Sequence, residues 1–166
     1  MATVTSLSTQ ITNRDASPRV LNSSTISKGA VQCAAATIEI AATDNIGSTY
    51  TMVSIPSNAR VMQVLLSCDD SGSVGTADIG LYQTTANGGA VVDANHFATA
   101  QAFTTALKNS DVTFAGGAYG VEDLEKPVWE AAGLSADSRV DYDVTLTLVE
   151  AAESAATVSL QVVYVI

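Results

Sequence analysis

The chain has 166 residues, enough for one domain, of which 47% are hydrophobic, 14% charged and 5% aromatic. Seven basic against 17 acidic residues give a formal net charge of −10. The few Lys and Arg are scattered, so they form no cluster that could bind phosphates, which argues against nucleic acid and anionic membrane surfaces as partners. A chain of this size buries roughly 68–70% of its unfolded surface, so it can build a core without metals or disulfides.

Residues 1–35 are predicted to form an extended N-terminal arm. The first 30 residues hold eleven Ser or Thr, and no period of 2 or 3.6 residues persists among them. A segment so poor in apolar surface cannot offset its ordering entropy alone, so we expect it to dock on its own sheet or on another subunit. Its isolated aliphatic side chains are our interface candidates: Leu7, Ile11, Val20 and Leu21.

The start of the chain has neither a basic segment nor a long apolar one, so no signal peptide is expected and synthesis should take place in a cytoplasm. No run of about 18 apolar residues occurs that would predict a membrane span. Cys33 and Cys68 lie 35 positions apart without a CxxC pattern, and both are interpreted as free, small, buried hydrophobic residues.

Residues 36–166 are predicted to form an all-β body. Strands are indicated near residues 36–41, 50–55, 61–68, 79–81 and 91, with the 61–68 strand central in its sheet because both of its faces are apolar. The Asn87-Gly88-Gly89 run predicts a hairpin turn. Strict alternation near 140–148 and 156–166 predicts two half-buried strands, which we expect to pair as an antiparallel hairpin.

Two short helices are predicted within this body. The spacing of Phe97, Ala100 and Phe103 suggests a helix over residues 93–103. The other spans residues 127–132, with Pro127 at its first position and Gly133 at its end. About eight short strands on one chain favour an antiparallel β-sandwich, most simply a jelly roll, with an open barrel as the rival.

The residues offer little chemistry. His96 is the only histidine, and it is interpreted as structural or surface-exposed, so no catalytic residue is assigned. No set of Cys, His and carboxylates has zinc spacing. The Gly-rich segment 69–78, with Asp69, Asp70 and Asp78, could gather calcium ligands, but it lacks the known loop pattern and an acidic turn is preferred. No cofactor-binding or metal-binding residue is therefore predicted.

Trp129, the only tryptophan, lies among acidic residues at 121–130 and has two interpretations. It could anchor an interface, because aromatic side chains dominate interface energetics. It could instead pack the small helix onto the sandwich. The acids beside it lack the sugar-binding aromatic surface of a glycosidase, and the glycine pairs match no phosphate-binding motif.

Four segments resemble small structural proteins of tailed bacteriophages, and more narrowly head decoration or cement proteins with a jelly-roll body. They are residues 54–61, 78–82, 88–93 and 126–130. The likeness covers about residues 50–166, and the arm matches no family.

The resemblance implies a non-enzymatic protein on the exterior of a virion capsid, made in the host cytoplasm. It would bridge neighbouring copies of the major capsid protein, and as a homo-oligomer, either dimer or trimer, it would cover its sheet edges. The alternative is a tail, fibre or receptor-binding β-sandwich module, because fold does not fix function. An enzyme is the third possibility.

Overall fold

The protein is described by a computed structural model that covers residues 6–42 and 44–166. The chain divides into two compact units, residues 1–30 and 31–166. In the described ranges no helix is both long and apolar enough to cross a membrane.

The arm contains two short helices, α1 (Thr9–Asp15) and α2 (Ser24–Lys28). The Ser8 side chain caps α1 by accepting a hydrogen bond from the Ile11 amide at 3.4 Å. The expectation of an extended arm therefore does not hold for these two segments. Sequence periodicity could not reveal them because neither helix buries a residue.

In its described residues, 31–42 and 44–166, the body contains eight strands and one short α-helix. The strands are β1 (Val31–Ile40), β2 (Thr49–Pro56), β3 (Arg60–Cys68), β4 (Thr76–Gln83), β5 (Val91–Ala102), β6 (Leu107–Asp111), β7 (Asp141–Glu150) and β8 (Ala156–Val165). The helix is α3 (Val128–Ala131), and 3-10 turns occupy Thr85–Asn87 and Val121–Asp123. The boundary predicted after residue 35 falls inside β1, so residues 31–35 belong to a strand.

The strands form two four-stranded antiparallel sheets, which confirms the all-β sandwich. Sheet A has the order β1-β8-β3-β6, and sheet B has the order β2-β7-β4-β5. β3 pairs on both sides, as its two apolar faces predicted. β4 and β5 pair around the predicted turn, where Gly88 has a φ of +102°.

The antiparallel hairpin predicted between the last two strands is wrong. β7 pairs with β2 and β4 in sheet B, whereas β8 pairs with β1 and β3 in sheet A. The connection between them crosses from one sheet to the other, and Ala152 within it is buried. Alternation identifies the buried face of a strand but not the neighbour with which it pairs.

A single hydrophobic core lies between the sheets. Alternate side chains of β3 and β8 from sheet A and of β4 and β7 from sheet B fill it, and Ile79, Leu81, Val144, Val64 and Leu160 are fully buried within it. The two cysteines differ. Cys68 is buried as expected, but Cys33 is exposed because it lies on the outer side of the edge strand β1.

The helix predicted over residues 93–103 is wrong, because this segment is strand β5. Its register with β4 shifts between Leu81 opposite Asp93 and Ile79 opposite Ala98, so the intervening residues bulge out of the ladder. The bulge breaks the period of 2 and imitates helical spacing. The short helix predicted at 127–132 is confirmed as α3.

Two glycines allow the bulge to lie against neighbouring backbone. A Cβ atom at Gly80 would overlap the carbonyls of Asp93 and Ala94, and one at Gly117 would overlap those of Asn95 and His96. Both positions therefore require a residue without a side chain.

We predict that Gly117→Ala lowers the free energy of unfolding by about 2–3 kcal/mol, because the methyl group must displace rigid backbone. Urea denaturation measures this change. Gly120→Ala is the matched control, since a methyl group there would meet the flexible Glu122 side chain, and we expect a smaller loss. Equal losses in the two variants would contradict the close backbone packing.

Candidate functional site

The arm presents its apolar side chains to solvent. Leu7, Val20 and Leu21 are 59%, 50% and 84% exposed, and Ile11 on α1 is half-buried. None of residues 6–30 is buried. Apolar surface on so small a segment is typical of a part that completes its packing against another molecule.

Hydrogen bonds of Asn22 hold the arm in a defined shape. Its side-chain amide donates to the Gln10 carbonyl at 3.0 Å, and its carbonyl oxygen accepts from the Asn13 side chain at 2.9 Å. The Val20 amide donates to the Asn13 carbonyl at 3.2 Å. These contacts border an open cavity of about 390 Å³ between α1 and α2, lined in part by Ile11, Val20 and Leu21.

The two units carry charges of opposite sign. Residues 1–30 contain three basic residues (Arg14, Arg19 and Lys28) and one acidic residue, Asp15, for a side-chain charge of +2. Residues 31–166 contain the other four basic and sixteen acidic residues, for a charge of −12. Within the described parts of the chain Arg14 pairs with its neighbour Asp15 at 2.7 Å, whereas no ion pair involves Arg19 or Lys28.

Trp129 packs α3 onto the sandwich. Its side chain is half-buried and contacts the core cluster. Two backbone hydrogen bonds fix the helix to the turn between β2 and β3, from the Val128 amide to the Ala59 carbonyl at 2.8 Å and from the Trp129 amide to the Ser57 carbonyl at 3.2 Å. Of the two interpretations of Trp129, this geometry favours packing.

His96 lies inside the β5 bulge and is fully buried. Its Nδ1 is 3.0 Å from Asp93 Oδ2, and its ring is 4.8 Å from the Phe97 ring and 5.5 Å from the Tyr119 ring. The Nε2 atom has no hydrogen-bond partner among the described residues. Burial lowers the pKa of His96, and Asp93 opposes this only in part.

The Tyr119 hydroxyl closes the inner side of this cluster. It donates to the Val61 carbonyl at 2.8 Å and lies 3.3 Å from the Asp123 carbonyl. Asp123 is itself buried, and it accepts from Lys126 Nζ at 2.7 Å and from the Gly120 amide at 2.9 Å. The histidine is therefore part of a packed core, whereas the Asp93 side chain beside it is partly exposed, at 23%.

The acidic segment 69–78 uses its carboxylates to hold backbone. Asp70 accepts from the Gly72 amide at 2.7 Å, and Asp78 accepts from the Ala100 amide at 2.7 Å. In residues 6–42 and 44–166 no three His, Cys, Asp or Glu side chains come together where they could hold a metal ion.

Sequence reasoning missed a polar cleft of about 300 Å³ beside the β2–β3 turn. Buried Ser57 donates to Asp137 Oδ1 at 2.6 Å, and the Arg139 amide donates to the same oxygen at 2.8 Å. These two hydrogen bonds lower the pKa of Asp137. Ser57 and Asp137 are 80 positions apart, so no local motif could reveal the cleft. Their hydrogen bond links the β2–β3 turn to the segment that precedes β7.

Comparisons of the whole fold find similar chains in solved bacteriophage capsids. A chain of the cyanophage Pam1 capsid asymmetric unit is 17% identical with a TM-score of 0.48, and the match covers 83% of this chain and 86% of that one. A chain of the Ralstonia phage GP4 capsid is 16% identical with a TM-score of 0.48, covering 82% and 84%. A chain of the capsid of Helicobacter pylori bacteriophage KHP30 is 15% identical with a TM-score of 0.41, covering 83% and 89%.

The sequence matches no family model. It also matches no curated protein.

We predict that His96 makes the protein less stable as the pH falls below about 6.5, the ordinary pKa of histidine. The folded-state pKa is lowered, so the unfolded chain binds the proton first, and the free energy of unfolding decreases by at most about 1.4 kcal/mol per pH unit. The measurement is urea denaturation between pH 7.5 and 5.5.

His96→Asn is the matched variant because its amide can still donate to Asp93. It should be less stable than the native protein at pH 7.5 but should lose this part of the pH dependence. Carboxylates with a lowered pKa, such as Asp123, titrate at lower pH and do not interfere. An unchanged slope in the variant would show that His96 is not the titrating group.

Proposed function

We propose that this chain is a non-enzymatic structural protein of a bacteriophage virion that decorates the capsid exterior and stabilises it by bridging neighbouring coat subunits. The observation that carries the proposal is a folded arm that is cationic and exposes its apolar side chains, joined to a closed acidic body. The arm is the segment built to bind another protein. The sequence resemblance to head decoration proteins supplies the capsid as its partner.

The strand order supports the interpretation of the sandwich as a jelly roll. β1 pairs with β8, β2 with β7, β3 with β6 and β4 with β5. These are the pairs that arise when one long hairpin, with the first four strands running against the last four, wraps into two sheets. That arrangement is typical of a jelly roll.

Repetition supports a bridging role for a modest contact surface. An arm of about 30 residues can bury only a limited area, so a single contact would be weak. Copies that bind at every equivalent position of a lattice, each touching more than one coat subunit, gain avidity without any new contact. The major capsid protein is accordingly the proposed partner, and the four aliphatic candidates in the arm are the proposed contact residues.

We predict that deletion of residues 2–30 leaves a folded body that no longer binds capsids. The reason is that the eight strands and their core lie in residues 31–166. Circular dichroism checks the fold, and co-sedimentation with capsids that lack this protein measures occupancy. Full occupancy by the truncated chain would refute the role of the arm.

A paired substitution locates the contact within the arm. We predict that Val20→Ser with Leu21→Ser weakens capsid binding by at least about tenfold, since the loss of two apolar contacts is worth more than about 1.4 kcal/mol. Val121→Ser is the control because Val121 is also highly exposed, at 74%, but lies on the body. Equal weakening of capsid binding in the two proteins would show that the capsid contact does not lie in the arm.

Copy number separates this proposal from a tail or receptor-binding module. A decoration protein approaches the stoichiometry of the coat protein in purified particles, whereas a tail or fibre component is present in few copies.

A further inference from the structure

The two sheets have four edge strands, and these edges are protected to different degrees. A free edge exposes a row of unpaired N–H and C=O groups, and natural proteins blunt it with short strands, charges, bulges or a covering segment. The edges here are β1 and β6 in sheet A and β2 and β5 in sheet B.

The β5 edge is covered by the segment that follows β6. The Ala115 amide donates to the Phe97 carbonyl at 3.1 Å, and the Thr99 amide donates to the Ala115 carbonyl at 3.0 Å. The Tyr119 amide donates to the His96 carbonyl at 2.7 Å. These hydrogen bonds cover the middle of this edge, from His96 to Thr99.

The β6 and β2 edges carry protective features. β6 has only five residues, two of which are the charged Lys108 and Asp111, and Asn109 between them has a φ of +50°. β2 is interrupted by a register shift and ends with Pro56, which has no amide hydrogen to donate. Neither edge offers a long, regular ladder.

β1 lacks these features. It has ten residues, it pairs with β8 in an unbroken register, and among the described strands it pairs with no other. In the loops and turns of the described residues no backbone hydrogen bond reaches residues 31–40. From Val31 to Ile38 it carries no charge, and Glu39 is its only charged residue.

We infer that the β1 edge binds β1 of a second copy of this chain, antiparallel and across a twofold axis, so that two sheets A become one continuous eight-stranded sheet. The charge pattern of β1 permits this occupant. Copies with a net charge of −10 repel one another over most of their surface, and the uncharged edge is where they can approach. The antiparallel direction places the two Glu39 carboxylates at opposite ends of the interface, whereas a parallel one would bring them together.

The alternation of side chains restricts the register, and two of the registers that it allows pair nine residues of each β1. Residues directly opposite each other in an antiparallel pair point to the same face, so the exposed odd-numbered residues of one β1 must face odd-numbered residues of the other. A twofold axis at Ala35 meets this condition and pairs residues 31–39, and an axis at Ala36 pairs residues 32–40. In both cases small alanine side chains lie at the centre, where they permit close approach.

Sedimentation equilibrium of the full chain without capsids tests this interface. We expect a dimer, and we expect Ala35→Lys and Ala35→Glu each to raise its dissociation constant at least about tenfold, because like charges then meet near the axis. Gln161→Lys is the matched control. Gln161 is exposed and lies opposite Ala35 on the adjoining strand β8, so this variant should remain a dimer.

An equimolar mixture of the Ala35→Lys and Ala35→Glu proteins should restore the dimer, since opposite charges then meet across the axis. Amide hydrogen exchange provides a second readout, in which alternate β1 amides become protected as the concentration rises. A monomeric or trimeric native chain, dimeric charged variants, an unrestored mixture or unprotected β1 amides would each overturn the inference. The measurement involves no capsid. A result that overturns the dimer would therefore not contradict the proposed function, which the capsid-binding experiments test.

Discussion

The two sheets hold together because alternate side chains from both fill one apolar core. Ile79 and Leu81 of sheet B meet Val64 and Leu160 of sheet A there without exposure to water. Burial of this area is the main favourable term for folding. It fixes which face of every strand points inward and places nearly all charges outside. The sheet edges and the arm are not part of this core, and both proposed interactions use them.

The distribution of charge gives these two interactions different characters. The arm is cationic with exposed apolar residues and the body is strongly acidic, so an arm is drawn to acidic protein surfaces while bodies repel one another. The uncharged β1 edge is exempt from that repulsion. The two proposed contacts use different residues, those of the arm and those of strand β1.

The bulge of β5 is the feature that the sequence concealed most fully. Phe97, Ala100 and Phe103 have helical spacing, yet the segment is a strand in which Ala100 has a φ of +47°. The bulge fits only because Gly80 and Gly117, far apart in the chain, leave room for its carbonyls. Within the bulge His96 is buried away from water, and it lies against the Phe97 and Tyr119 rings and the Asp93 carboxylate. His96 therefore contributes to the packing of the core.

The sequence by itself determined the all-β class, most strands, the β4–β5 turn and the short helix after Pro127, because alternation and turn residues are local signals. Only the tertiary structure decided which strands pair, since β7 and β8 show the same alternation yet lie in different sheets. It also decided that Cys33 is exposed, that His96 is buried and that the β1 edge lacks protective features. Those outcomes depend on contacts between residues distant in the chain, and a local pattern carries no information about its distant neighbours.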